Sequence, residues 1–291
     1  MDKKIYALGL FDSMHKGHRA LIEKGKTFAK ELNAELCVVT FDDELCGLLT
    51  KTSKEVYLLR EREEIIKSLG INEVKVLPGS KDFLQTDKKD FLKLLSDFNP
   101  AGFVVGSDYK FGRNAAGDAN LLKDYFSDKG VAVTICPLEF YNGEKISTTE
   151  IKLLLSEGKI EEANYLLDAP FFFTGTVVEG LKNGRKLGLP TANIDFDGRK
   201  FIPKEGVYMT KTIVDGRTYL SVTNIGMHPT INTEKANLES HILDFDSDIY
   251  KKDIKIEFYK YIRGVIRFKN ADELKAQIAK DIDNTRNELS L

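Results

Sequence analysis

Cysteine is scarce in this chain of 291 residues: Cys37, Cys46 and Cys136 are an odd number without metal-type spacing. That excludes a disulfide framework and a cysteine zinc site, and leaves buried thiols as the expectation. Charge of one sign is missing as well. Lys and Arg total 43 against 45 Asp and Glu, a formal net charge of -2, and the only notable basic cluster is short. The electrostatic footprint of a duplex-binding protein is therefore absent, and no nucleic-acid partner is expected. Long apolar runs are missing too. Stretches such as Ala101 to Val105 and Phe171 to Phe173 fall far short of the ~20 residues that cross a bilayer, so no membrane partner is expected. Met1 to Ile5 lead straight into a strand pattern, without the apolar stretch and small-residue cleavage site of a signal peptide, and the expected location is the cytoplasm. There is no internal repeat or low-complexity segment, and nothing in the pattern bears on oligomeric state.

What is present is an ordinary globular composition, 42% hydrophobic and 30% charged, in a chain roughly two average domains long at about 150 residues each. Its two halves differ in texture. From Ile5 to Pro137 short apolar strands (5–11, 36–41, 73–77, 102–106, 131–137) alternate with amphipathic helical stretches (19–32, 56–69, 88–98, 119–129). That alternation predicts βαβ units and a parallel sheet covered on both faces, with ligands at the carboxyl ends of the strands. After Leu167 the segments are rich in Val, Ile, Thr, Tyr and Phe, with strands expected at 172–178, 210–214, 217–222, 241–245 and 254–262. Asp215-Gly216 is a two-residue hairpin signal. A helix over 271–282, with Asn270 as N-cap and Glu273 completing a capping box, closes the pattern. The expected architecture is an α/β Rossmann-like domain over 1–168 and a small antiparallel β-barrel with a terminal helix over 169–291.

Three stretches carry chemistry. Between the first strand and helix lies Phe11-Asp12-Ser13-Met14-His15-Lys16-Gly17-His18. Two imidazoles beside a helix N-terminus can hold nucleotide phosphates, and Gly17 would let backbone approach them; the alternative is a pair of surface loop histidines. Ile146-Ser147-Thr148-Thr149-Glu150-Ile151-Lys152 places hydroxyls and a lysine at a helix start, where a plain capping box of Ser147 with Glu150 is equally open. In the second half, Gly180 to Asn193 (GLKNGRKLGLPTAN) combines a glycine-rich loop, cations, and a Thr and an Asn two positions apart, hard oxygen donors suited to Mg²⁺. By itself Lys182 to Lys186 also reads as a solvated basic turn.

His-x-Gly-His in a strand-loop-helix context resembles the nucleotidyltransferase superfamily that transfers AMP or CMP, and Ser147 to Lys152 resembles its Ser-Ser-Thr-x-Ile-Arg motif. Gly106 to Arg113 (GSDYKFGR) looks like a stretch of prokaryotic FAD synthetases. Gly184-Arg185-Lys186-Leu187-Gly188-Leu189-Pro190-Thr191-Ala192-Asn193 resembles the long motif of riboflavin kinases, followed in family order by Gly206-Val207-Tyr208, Asn224 to Thr230 and Leu238 to Phe245. Together they resemble the prokaryotic bifunctional riboflavin kinase and FMN adenylyltransferase over nearly the whole chain. The resemblance implies ATP as donor and Mg²⁺ in both domains, with riboflavin, FMN and FAD as substrates or products. It implies an adenylyltransferase site of Gly9, Phe11, Asp12, His15, Gly17, His18, Ser147, Thr148 and Lys152, in which the histidines are catalytic. It implies a kinase nucleotide site of Gly180, Gly184, Arg185, Pro190, Thr191 and Asn193, with Thr191 and Asn193 on the metal and Glu239 as base. Asp108 and Arg263 are the implied flavin contacts.

Some positions depart from the family pattern. Asp43-Glu44-Leu45 replaces Pro-His-Pro, Leu10 a common Asn, Lys152 an Arg and His228 an Arg, and the acid often found shortly after Arg263 is missing from Gly264 to Arg267. Two alternatives follow: a riboflavin kinase with an impaired adenylyltransferase domain, or a flavin-binding regulator without turnover.

Overall fold

The computed structural model describes residues 3–49, 54–180, 188–230 and 233–289, without the side chains at 46, 47, 49, 227–230 and 233–235. The chain divides into two compact units, Met1–Thr148 and Thr149–Leu291.

The first unit alternates strand and helix: β1 (Lys4–Leu8), α1 (Lys16–Glu31), β2 (Glu35–Phe41), α2 (Asp43–Leu49), α3 (Leu59–Ser68), β3 (Glu73–Leu77), α4 (Lys81–Leu84), α5 (Lys88–Ser96) and β4 (Gly102–Gly106). It continues through two short pieces, β5 (Lys110–Phe111) and β6 (Gly117–Asp118), to α6 (Ala119–Ser127), β7 (Ala132–Cys136), β8 (Phe140–Tyr141) and β9 (Glu144–Lys145). Strands β3-β2-β1-β4-β7 form one sheet in that order, with every pairing parallel. Consecutive residues of β1 and β4 are buried, so both sheet faces are covered, as the continuous apolar runs implied.

The local differences have physical causes. The first strand stops at Leu8, not Phe11, because the Leu10 carbonyl accepts from Thr40 Oγ1 at 2.8 Å and Phe11 takes a left-handed φ of 56°. The helix expected from Val56 starts at Leu59, since the Val56 and Tyr57 amides are bonded to Asp12. Helices α2 and α4 were not expected. Cys37 and Cys136 are buried thiols, and the Cys46 side chain lies outside the described residues.

The second unit begins one residue into α7 (Thr148–Glu157), which is followed by α8 (Ile160–Leu167). Then come β10 (Phe171–Val178), β11 (Ala192–Asp195), β12 (Gly206–Val214), β13 (Arg217–Thr230), β14 (Thr233–Ile242), β15 (Asp253–Arg263) and α9 (Ala271–Glu288). The strands close a barrel in the order β10-β11-β14-β13-β12-β15. Asn164 on α8 donates to the Phe258 carbonyl and accepts from the Phe171 amide, both at 2.8 Å, which ties the helix to β15 and β10. Asp215 and Gly216 both have positive φ, 50° and 77°, as the hairpin signal requires. The strand expected at 241–245 instead runs from Thr233 to Ile242, and the chain turns at Asp244, whose φ is 56°. Asn270 caps α9 as expected, but Glu273 accepts from the Lys269 amide, one residue before the N-cap position of a capping box.

The barrel interior joins aromatic packing to a closed polar ring. Phe171, Phe173, Tyr208 and Phe258 are fully buried. Beside them the hydroxyls of Thr210, Ser221, Thr212, Ser240 and Thr223, each with no exposed surface, are linked in a cycle by contacts of 2.7 to 3.2 Å. A hydroxyl both donates and accepts, so each member is satisfied without charge.

Candidate active sites

In the first unit, the loop between β1 and α1 opens on a cavity of about 760 Å³ lined by Gly9, Phe11, His15, Gly17, His18, Asp108, Ser147 and Thr148, all expected site residues. His15 caps α1, its Nδ1 accepting from the His18 amide at 3.2 Å. In the neutral ring the proton is therefore on Nε2. The two imidazoles stack, centroids 3.8 Å apart and planes within 9°, and Phe11 meets His18 edge-on. A Cβ at Gly17 would stand 3.1 Å from His15 Cε1, so the glycine makes room for the capping ring. Burial holds His15 down at about 4, and burial with the neighbouring His15 holds His18 well below the usual range. Both are neutral at pH 7. His18 Nδ1 is buried with no hydrogen-bond partner among the described residues. No acidic residue occupies the first turn of α1, so the positive end of the helix and two neutral imidazole N–H donors make an environment for anionic oxygens.

Asp12 faces the other way: its carboxylate accepts from the Val56 amide at 2.8 Å, and it does not line the cavity. Ser13 Oγ meets Thr148 Oγ1 at 2.9 Å, joining the loop to the second expected motif. Asp108 pairs with Lys145 at 2.5 Å, and both line the cavity. Lys152 falls in the second unit, with Nζ 6.0 Å from the Phe201 ring centre. Phe41, Leu45, Phe83, Phe91, Tyr109 and Phe111 add an apolar wall suited to a flat ring.

Asp43, one of the residues that depart from the family pattern, is engaged away from the cavity. Its carboxylate accepts from the Leu59 amide at 2.6 Å and from Arg62 at 2.9 Å, and it does not line the cavity. Arg62 is fully buried and reaches the Leu10 carbonyl and Thr40 Oγ1, each at 2.9 Å, while Glu55 lies 3.4 Å away. Burial and Asp43 push the Glu55 carboxyl up to about 9, so it is protonated at neutral pH and Asp43 alone balances the guanidinium.

In the barrel, strand register assembles the second site. Asn193 on β11 lies opposite Glu239 on β14, which lies opposite Asn224 on β13; Asn224 pairs with Val207 on β12, and Val207 with Arg263 on β15. Directly paired residues share a face, so these side chains form one row across five strands. Gly180 meets the row at Asn193: a Cβ there would stand 2.2 Å from Asn193 Nδ2. Thr191 is half-buried just before β11, and the Pro190 carbonyl accepts from His241 Nδ1 at 2.7 Å. Asn237 donates to Glu239 Oε1 at 2.6 Å. Arg263 is held by the buried carboxylate of Asp281 on α9, at 2.8 and 3.0 Å. Gly184 and Arg185, and the side chain of His228, lie outside the described residues.

Sequence reasoning quoted Ser13 and Asn224 within motif stretches without giving either a role, and it missed Lys145, Arg62 and Asn237. Arg62 left a signal: it falls four residues after Leu58 and three before Ile65, on the apolar stripe of its helix. Lys145 stands two residues before Ser147. Asn224 and Asn237 join the site only through register.

A parallel α/β unit with a histidine-bearing loop at a helix N-terminus, carried in one chain with a closed barrel bearing a Thr-x-Asn and a glutamate, defines a two-domain nucleotide-using transferase. A family model described as FAD synthetase matches residues 1–150, and one described as riboflavin kinase matches residues 167–289. The bifunctional riboflavin kinase/FMN adenylyltransferase of Listeria monocytogenes is 35% identical, over 97% of this chain and 91% of its own. That of Bacillus subtilis is 33% identical, over 96% and 90%. The chain belongs to the bifunctional riboflavin kinase/FMN adenylyltransferase family. A crystal structure named as a macrolide-efflux protein from Streptococcus pneumoniae shares the fold, with a TM-score of 0.90 and 30% identity over 99% of this chain and 95% of that one. Among the described residues here, no helix is long and apolar enough to cross a membrane.

Proposed function

We propose that this chain phosphorylates riboflavin to FMN in the barrel domain, residues 169–291, and adenylylates FMN to FAD in the α/β domain, residues 1–168, with ATP as donor in both and in the cytoplasm. The observation that carries the reading is that His15 and His18 stack where both line one cavity, and that Asn193, Glu239 and Asn224 stand in one row across the barrel strands.

In adenylyl transfer an FMN phosphate oxygen attacks the α-phosphorus of ATP and pyrophosphate leaves. The neutral imidazoles donate to phosphate oxygens, and the negative charge of the nucleotide makes both rings more basic than in the empty site. That stabilises charge as it builds on the leaving group, without a covalent intermediate. The apolar wall receives the flavin ring. The engagement of Asp43 by Arg62 leaves this cavity free of the extra acid, which favours two working activities over a kinase with an impaired partner.

In phosphoryl transfer Glu239 takes the proton of the ribityl 5′-hydroxyl as its oxygen attacks the γ-phosphorus and ADP leaves. The close approach of Gly180 to Asn193 forms a cradle that a side chain would fill, and Thr191 and Asn193 supply hard oxygens of the kind that hold Mg²⁺ beside phosphates. When bound, the ion offsets charge on the transferring phosphoryl group.

The test is product analysis with riboflavin, ATP and Mg²⁺, repeated with FMN as starting flavin. FAD in both reactions is expected. FMN alone would leave a kinase with a silent first domain, and neither product would return the chain to a binding role. His18→Ala is expected to abolish FAD formation and spare FMN formation; Glu239→Ala is expected to do the reverse when FMN is supplied.

A further inference from the structure

Glu239 is held along its own strand as well as across it. Asn237 lies two residues earlier on β14, so both side chains stand on the same face. Asn237 Nδ2 donates to Glu239 Oε1 at 2.6 Å, whereas Oε2 has no hydrogen-bond partner among the described residues. Only the nitrogen of an amide can face a carboxylate, because its oxygen would meet another acceptor. Opposite Asn237 on β13 is Gly226, which has no side chain to compete for that space. The intervening Leu238 and the following Ser240 are buried, the latter within the hydroxyl ring, so the strand beneath the carboxylate is fixed. A neutral donor orients a carboxylate and leaves its negative charge in place, where a lysine would pair with it and an acid would repel it.

We propose that Asn237 is a positioning residue for phosphoryl transfer, holding Oε1 of Glu239 so that Oε2 is the oxygen that receives the substrate proton. The inference rests on Glu239 being the base. Three features support it: the 2.6 Å contact, the shared face of β14 and the absence of a side chain at Gly226 opposite Asn237.

The test uses the full-length chain with riboflavin, ATP and Mg²⁺, reading kcat and KM for FMN formation between pH 5 and 9, with melting curves beside them. Asn237→Ala is expected to lower kcat about tenfold, the scale of one hydrogen bond to a charged group, with KM for ATP within about twofold. Asn237→Asp is expected to move the acidic limb of the kcat profile upward by about one pH unit, because a second carboxylate makes Glu239 harder to ionise. Asn237→Gln, which keeps the donor on a longer arm, is expected to recover part of the loss. An unmoved acidic limb with kcat within twofold in the Ala and Asp variants would overturn the proposal, as would an equal loss in all three that follows a fall in melting temperature. Glu239→Gln separates the two readings. If that variant keeps full activity the base assignment fails and this inference with it; if it is inactive while the Asn237 variants match the native chain, only the inference fails.

Discussion

The two units stabilise the ground beneath their sites in opposite ways. Under the histidine loop lies a charged cluster, with buried Arg62 holding the Leu10 carbonyl, balanced by Asp43 and touched by protonated Glu55. Under the glutamate row lies a ring of five hydroxyls with no charge at all. A charged anchor reaches far and holds several oxygens at once, but it cannot lose one partner without stranding the other and it responds to pH. A hydroxyl ring reaches only its neighbours and has no group that titrates near neutrality. The loop between β1 and α1 has left-handed residues at Phe11 and Met14, so it needs the longer reach; the barrel strands are already held by their ladders.

The sharpest way to break this contrast is Arg62→Met. Removing one side of a buried ion pair leaves Asp43 uncompensated, and the α/β unit is expected to lose about 3–5 kcal/mol in denaturant titration. A loss below about 1 kcal/mol would mean that Arg62 carries little of the loop. Thr223→Val opens the hydroxyl ring, leaves Thr210 and Ser240 each short of a partner, and is expected to cost the barrel about 1–3 kcal/mol by the same titration.

Of intermediate size is the pH response of the α/β unit. Glu55 is raised in the fold to about 9 from an ordinary 4.5, so the folded state binds the extra proton, and the associated stability is lost as pH rises across that interval. His15 is lowered to about 4 from 6.5, so its contribution is complete above 6.5 and is lost as pH falls toward 4. The two oppose each other below 6.5, and above it only the Glu55 decline remains. Glu55→Gln is expected to flatten the fall in stability between pH 6.5 and 9, read by melting curves across that range; an unchanged slope would place the decline elsewhere. The smallest effect is expected at Asp108 and Lys145, a pair about half exposed. Asp108→Asn is expected to change stability by less than about 1 kcal/mol, and a larger loss would mean that the half-exposed pair helps hold the α/β unit together.

Much of this was legible in the residues. Continuous apolar runs between amphipathic stretches marked β1, β2, β3, β4 and β7, and Asp215-Gly216 marked its hairpin. The loop histidines were legible because strand, loop and helix are consecutive, so residues close in sequence stay close in space. Strand β14 was largely hidden: buried Ala236, Leu238 and Ser240 alternate with half-buried Asn237 and Glu239, and with a polar serine on the core face the alternation is too weak to separate from a loop. Helix α2 was hidden by its acidic start, whose first residue turns out to neutralise an arginine nineteen positions later.

What the sequence determined by itself was therefore local: which segments are strands or helices, where the turn residues stand, and which short motifs bear histidines, hydroxyls or glycines. These depend on periodicity and on neighbours within a few positions. Tertiary structure alone decided that Asn193, Glu239 and Asn224 share a row, that Asn237 faces Gly226, that five hydroxyls close a ring and that Asp43 turns to Arg62 rather than to the cavity. Each is a matter of register or of burial between distant segments, where a shift of one residue would send every side chain of a strand to the other face.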